Sequence, residues 1–302
     1  MQPAFRTIRR FYFILSLAMI VIAPTSQAVQ SPFDTLIEKI MMEYPALQGN
    51  IQSDIINGQT VFFADTKEAG SLLVSEFIVK TLQDNYQKGQ SSVLGLATGS
   101  TPLIVYKNLV TAFQNGALST QNLTTFNLDE YLGLAANHPA SYAFFMYQNL
   151  FQYLDISDER IHIPSAPPKK TDESIAEYQQ LLGQTQRDIQ LLGLGKNGHI
   201  AFNEPGSPAT SRTRLVKLDE STRIANSRYF ESPEQVPEHA ITMGIADILE
   251  SKINIIMAWG EGKAEAVKRA ITGPISSDCP ASFLQQHNKT IWFIDQKAGK
   301  ML

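Results

Sequence analysis

The sequence predicts an α/β protein built on an open, mostly parallel, twisted sheet with helices on both faces. Three observations carry this expectation. Short apolar runs alternate with amphipathic stretches along residues 60–295, the pattern of successive strand–helix–strand units. No repeat and no long low-complexity linker interrupts that stretch. The 302-residue chain is 43 % hydrophobic and 18 % charged, an ordinary globular composition with length for one large α/β domain.

In chain order, PFDTLIEKIMMEYPALQ (32–48) reads as an extra N-terminal helix packed on the domain. Strands are expected at 60–64 (TVFFA), 92–97 (SVLGLA), 123–128 (LTTFNL), 188–193 (DIQLLG), 253–258 (INIIMA) and 290–294 (TIWFI). Each is a short apolar run of strand length. Helical patterns fill the gaps at 66–88, 101–114, 139–152, 172–186 and 261–272. In the second of these, Ser100 or Thr101 serves as N-cap and Pro102 takes the first helical position. Residues 29–302 are expected to form a single domain.

Residues 1–28 stand apart. Arg6, Arg9 and Arg10 precede thirteen mostly apolar residues, Phe11 to Ala23, and then Ser26-Gln27-Ala28. That is the charged, apolar and small-residue order of a secretory signal peptide. The apolar run is shorter than the roughly 20 residues of a transmembrane helix. Export to the periplasm or exterior is therefore expected if the signal is used, and a cytoplasmic protein otherwise. Removal of residues 1–28 would leave a formal charge of −7, against −4 for the whole chain. Either value excludes a basic nucleic-acid footprint, and no membrane association is expected after signal removal. The lone Cys279 excludes an intramolecular disulfide and a multi-cysteine metal site.

In an open parallel sheet, ligands bind at the carboxyl ends of the strands. Three predicted strands run into unusual sequences there: TGSTP (98–102), NLDEY (127–131) and GLGKNGHIAFNEPGSP (193–208). The last begins with Gly193, Gly195 and Gly198 in the G-x-G-x-x-G spacing of a dinucleotide site. That site needs a helix directly after the glycines, and Pro205, Gly206 and Pro208 deny it one. Asp219 lies at the distance of a ribose-binding acid, but no helix intervenes, so a nicotinamide cofactor is not expected. The segment reads better as a polar loop in which His199 serves as general acid or base, with Asn197 and Glu204 near enough to orient it. The turn of Gly99, Ser100 and Thr101 before a helix suits a phosphate. Without a G-K-[ST] ending it fits a sugar phosphate better than a nucleoside triphosphate. NLDEY places two carboxylates at a strand end, either of which could abstract a proton. Cations come later, in SRTR (211–214), TRIANSRYF (222–230) and GEGKAEA (260–266), where Lys263 follows a strand through a glycine turn. The five histidines lack metal-binding spacing, and no metal is expected. Asn122 and Asn288 fit the glycosylation pattern but begin predicted strands.

Taken together, ATGSTPL, TFNLDEYLGL with HPASY, GLGKNGHIAFNEPGSP, RIANSRYF and GEGKAEAVK with PASFLQQH resemble the glucosamine-6-phosphate deaminase (isomerase) family, in order and spacing, over about residues 60–295. The resemblance implies a modified Rossmann-like fold. It also implies a cofactor-free conversion of glucosamine 6-phosphate and water to fructose 6-phosphate and ammonium. Within it Asp129 would be the base that moves the proton, and His199 would assist ring opening. Glu204 and Asn197 would set the state of His199. Ser100, Thr101, Arg228 and Lys263 would hold the phosphate. A homo-oligomer is compatible with this reading.

Three departures accompany the resemblance. Asn197 stands where many relatives have Asp, although others have Asn. Ser207 and Arg214 match an effector-phosphate site of activated relatives, but the expected Lys is Val216. Strong activation by N-acetylglucosamine 6-phosphate is therefore not expected. Export would also separate the protein from a mostly cytoplasmic substrate. Alternative readings are a galactosamine-6-phosphate deaminase, a hydrolase of the related lactonase type, and a non-catalytic phosphosugar-binding protein.

Overall fold

The computed structural model describes residues 32–165 and 167–302; the signal-like segment 1–28 lies outside them. Eleven strands are described. They are β1 (Ile51–Ile56), β2 (Gln59–Ala64), β3 (Ser92–Leu96), β4 (Leu123–Asn127), β5 (Asp129–Tyr131), β6 (Ile161–His162), β7 (Ile189–Gly193), β8 (Arg214–Lys217), β9 (His239–Thr242), β10 (Ile253–Ala258) and β11 (Thr290–Asp295). The α-helices are α1 (Pro32–Glu43), α2 (Lys67–Gln87), α3 (Leu103–Gln114), α4 (Tyr142–Asn149), α5 (Thr171–Gln184), α6 (Glu220–Asn226), α7 (Ile245–Leu249) and α8 (Ala264–Thr272).

Eight strands form one sheet in the order β1-β2-β11-β10-β7-β3-β4-β6. Every pairing in it is parallel except the β1–β2 hairpin at the edge. Successive residues of the central strands face opposite sides, as strand geometry requires. Leu191, Ile255 and Phe293 join a core under α1 to α4. Their neighbours Leu192, Ile256 and Trp292 join a second core under α5, α7 and α8. Both faces are thus covered by helices, as a parallel sheet requires.

Each of the six predicted strands is present, shifted by at most one residue at its ends. Helix α3 begins at Leu103, with Pro102 just before it as N-cap rather than in the first helical position. Helix α4 is shorter than the expected 139–152, because Ser141 caps it and the chain leaves the helix at Leu150. The expected single helix 32–48 divides at Tyr44 into α1 and a 3-10 turn. The edge strand β1 was not expected. Its turn to β2 is Asn57-Gly58, both in the left-handed region (φ +50° and +75°), as a two-residue hairpin demands.

A second, three-stranded antiparallel sheet, β5-β9-β8, was also not expected. It stands at the carboxyl end of the main sheet. Leu128 joins β4 to β5, donating to Leu96 and accepting from Met243. The small sheet therefore grows out of the strand end that carries NLDEY.

Candidate active site

The strand order reverses between β3 and β7. From β3 the chain proceeds outward to β4 and β6, and from β7 the other way to β10 and β11. A crevice at such a switch point is the expected ligand site. TGSTP follows β3 and GLGKNGH follows β7, so the two loops flank it. A Cβ added to Gly193 would lie 3.8 Å from Thr101 Oγ1, so the loops meet. Gly99 has φ +92°, which turns the chain from β3 into α3. Trp259, after β10, donates its indole N–H to the Thr101 carbonyl at 3.4 Å and packs on Gly70, where a Cβ would sit 2.6 Å from its ring.

The two carboxylates of NLDEY have separate duties. Glu130 is spent on backbone. Its oxygens accept N–H groups from Tyr131 (2.8 Å), Tyr142 (3.0 Å) and Ala143 (2.9 Å), which ties β5 to the start of α4. Burial raises its pKa, and those three bonds oppose the rise. Asp129 is equally buried, at 6 % exposed. Its carboxylate has no hydrogen-bond or ion-pair partner among the described residues. Burial, with the nearby Glu130 charge second, pushes its pKa up to about 8. A buried carboxylate free of partners and with a raised pKa is suited to proton transfer, whereas one holding three amides is committed to the fold.

The His199 loop is built by its neighbours. Gly195 accepts the ring at close range: a Cβ there would be 2.5 Å from the imidazole. Gly198 has φ +90°, and a Cβ on it would meet Cys279 Sγ at 2.6 Å. The Asn197 side-chain oxygen accepts the His199 N–H at 3.2 Å, and its amide donates to Glu204 Oε2 at 2.7 Å. The same Oε2 lies 3.1 Å from His199 Nδ1. The other Glu204 oxygen accepts the Thr222 hydroxyl. Burial would raise the Glu204 pKa, but the bonds to His199, Thr222 and Asn197 outweigh it and hold the group below its ordinary value. Glu204 is thereby an anion that orients Nδ1 and leaves Nε2 for other work.

The small sheet aligns this loop with Asp129. Thr242 of β9 pairs with Asp129 on one side and Arg214 on the other. Its hydroxyl accepts the Phe202 N–H at 3.0 Å, midway between His199 and Glu204. Asn203 donates to the Met243 carbonyl at 2.8 Å.

Lys263 and Arg228 are both at the site. Lys263 donates to the Leu194 carbonyl at 2.5 Å, at the end of β7. Burial lowers its pKa, and the charges of Lys196 and Arg228 add to the effect. Lys196 and Arg228 are thus near enough for their charges to be felt at Lys263. Lys196 also lies against Gly262, where a Cβ would be 3.7 Å from its Cε. Among the described residues none of the three pairs with a carboxylate. Arg228 instead stacks over Tyr229 at 4.8 Å. Such a group of unpaired cations is suited to an anion. Lys196 and Thr222 went unnoticed as site residues in the sequence, though both lie inside motifs that point to the site. No group of residues suited to a metal ion occurs among the described residues.

Ser207 and Arg214 do come together: Arg214 donates to Ser207 Oγ at 3.2 Å and to Asn203 at 2.8 Å. They line a cavity of about 340 Å³ with Phe202, Glu204, Val216 and Lys217.

Comparison with known proteins places the chain in a family. The sequence profile described as glucosamine-6-phosphate isomerases/6-phosphogluconolactonase matches residues 65–292. A glucosamine-6-phosphate deaminase of Rhodopirellula baltica is 47 % identical over 236 residues, which are 78 % of this chain and 92 % of that one. Glucosamine-6-phosphate deaminase 2 of Bacillus subtilis is 46 % identical over 224 residues, 73 % of this chain and 90 % of that one. Among solved structures, a monomeric glucosamine-6-phosphate deaminase superposes with a TM-score of 0.77 at 42 % identity, covering 80 % of this chain and 99 % of that one. The 6-phosphogluconolactonase of Trypanosoma brucei shares the fold, with a TM-score of 0.67 at 20 % identity over 81 % of this chain and 98 % of that one.

Proposed function

This chain belongs to the glucosamine-6-phosphate isomerase/6-phosphogluconolactonase family, and we propose that it is a glucosamine-6-phosphate deaminase. The observation that carries the proposal is a partner-free buried Asp129 beside a Glu204-oriented His199 loop, the two tied together through Thr242 of β9. Deaminase relatives above 45 % identity support it.

The cations Lys263, Arg228 and Lys196, with the Gly99-Ser100-Thr101 turn, bind the phosphate and fix the sugar in the crevice. His199 Nε2 exchanges the proton that opens the ring to the free aldehyde. Asp129 removes the C2 proton, and O1 is protonated, giving an enolamine. The proton returns from Asp129 to C1, which leaves an iminium at C2. Water adds at C2 and ammonia leaves, forming the ketone of fructose 6-phosphate. The net reaction consumes one water and breaks one C–N bond, so it is a hydrolytic deamination. His199 carries the ring-opening proton and Asp129 the C2-to-C1 proton, and the proposed route uses no cofactor.

Equimolar ammonium and fructose 6-phosphate from glucosamine 6-phosphate would establish the activity; saturable binding without product would leave a phosphosugar-binding protein. Galactosamine 6-phosphate differs at one hydroxyl, and a ratio of kcat/KM for the two sugars decides between them. Export belongs to the proposal on the strength of residues 6–28. Mature protein beginning at residue 29 would support it, and intact Met1 would count against it.

A further inference from the structure

We propose that Tyr131 is a positioning residue that holds the Arg228 segment in register with Asp129, an inference that rests on the deaminase reading of this site. Tyr131 lies two residues after Asp129 on β5, so the two share a face of the small sheet. It is 1 % exposed. Its phenol oxygen accepts two hydrogen bonds: from Asn226 Nδ2 at 2.9 Å and from the Tyr142 hydroxyl at 3.3 Å. The Tyr142 hydroxyl is hydrogen-bonded in turn to Thr98, at the start of the phosphate turn. A polar chain thus runs Thr98–Tyr142–Tyr131–Asn226, from one phosphate-binding element to the other.

The ring makes the same connection. Its centroid is 4.8 Å from Tyr142, 5.7 Å from Phe202 and 5.7 Å from Phe230. Tyr142 opens α4, Phe202 sits between His199 and Glu204, and Phe230 is two residues past Arg228. One side chain therefore touches three separate segments of the site.

The Arg228 segment needs such an anchor. Helix α6 has seven residues, of which Thr222 is the buried one, and Ile224 is 60 % exposed. With so little apolar burial, its position depends on polar ties. Two reach into the site, Thr222 to Glu204 and Asn226 to Tyr131. Asn226 is two residues before Arg228, and Arg228 has no ion pair of its own among the described residues. Loss of the Tyr131 hydroxyl should therefore loosen the phosphate cation and leave Asp129 and His199 in place.

The test uses Tyr131→Phe, which keeps the ring, Asn226→Ala, and the double variant. Amide hydrogen exchange over residues 219–230 is expected to quicken about fivefold in each, the size of one lost hydrogen bond. The double variant should be no faster than the singles, since both remove the same Tyr131–Asn226 bond. The KM for glucosamine 6-phosphate should rise about fivefold or more while kcat stays within about twofold, the signature of lost binding rather than lost chemistry. Unchanged exchange in Tyr131→Phe would overturn the proposal. So would additive effects in the double variant, or a fall in kcat at constant KM. Exchange reads the anchor without turnover. A wild-type protein that releases no ammonium would defeat the deaminase reading while the exchange result still judged Tyr131.

Discussion

Asp129→Asn should abolish turnover and, at neutral pH, make the protein more stable. The carboxyl titrates near 3.8 when unfolded and at about 8 in the fold, because burial and then Glu130 oppose its charge. At 1.36 kcal/mol per pH unit, folding this group costs about 4 kcal/mol at pH 7. The asparagine amide inherits a buried site without a partner, which takes back about 1–3 kcal/mol. A net gain of about 1–3 kcal/mol at pH 7 follows from these two magnitudes. The pH dependence is more diagnostic than the offset. The folded carboxyl keeps its proton up to about pH 8, whereas the unfolded one releases it above 3.8. The wild type is therefore at its best, relative to the variant, below pH 4. It loses ground by about 1.4 kcal/mol per pH unit up to about pH 8, and no further beyond. Urea denaturation of both proteins at intervals between pH 5 and 9 measures this slope. A stability difference that is flat with pH across the window would refute the argument that Asp129 is buried and proton-bearing.

The same proton sets the rate: kcat/KM should climb about tenfold per unit below pH 8 and level above it, since Asp129 must be ionised to act as base. A rate falling across pH 6–8 would contradict that assignment. Gly195→Ala should lower kcat about 100-fold through displacement of the imidazole, whose atoms lie 2.5 Å from the added Cβ; steady-state kinetics beside a circular dichroism check of folding would show it. Lys196→Gln should raise KM about two- to fivefold with kcat unchanged, and more steeply at low salt, as for a phosphate-binding cation. Because Val216 replaces the third effector contact, rate curves should be hyperbolic with and without N-acetylglucosamine 6-phosphate. A sigmoidal curve made hyperbolic by that compound would overturn this reading of the Ser207–Arg214 cavity.

Physical reasons separate what was legible in the sequence from what was not. The parallel strands bury both faces and so read as unbroken apolar runs such as INIIMA and TIWFI, which any pairing would demand. Their order then brought TGSTP and GLGKNGH to one switch point, as strand-end motifs require. The small sheet left no such trace. β8 is half exposed, and β5 is the tripeptide DEY, whose strand character comes from pairing with β9 rather than from propensity. The hairpin at Asn57-Gly58 did carry a turn signal, but β1 is too polar to read as a strand. Asp129 and Glu130 could not be told apart by position in the chain. What separates them is that the amides of Tyr142 and Ala143, a dozen residues on, converge on Glu130 alone. Lys196, Thr222 and Tyr131 were hidden for the same reason: each acquires its role from a partner distant in sequence.

The central claim is that Asp129 moves a proton between C2 and C1 of glucosamine 6-phosphate. Turnover in deuterium oxide, with wild type and Asp129→Asn side by side, tests it most directly. Ammonium and fructose 6-phosphate are expected in equal amounts from the wild type, with deuterium at C1 of the product and partial internal return of the C2 hydrogen. The variant should lose at least about 100-fold in rate, as for removal of a general base. Comparable ammonium release by Asp129→Asn, or product without any deuterium at C1 because the C2 hydrogen moves there entire, as in a hydride shift, would contradict it.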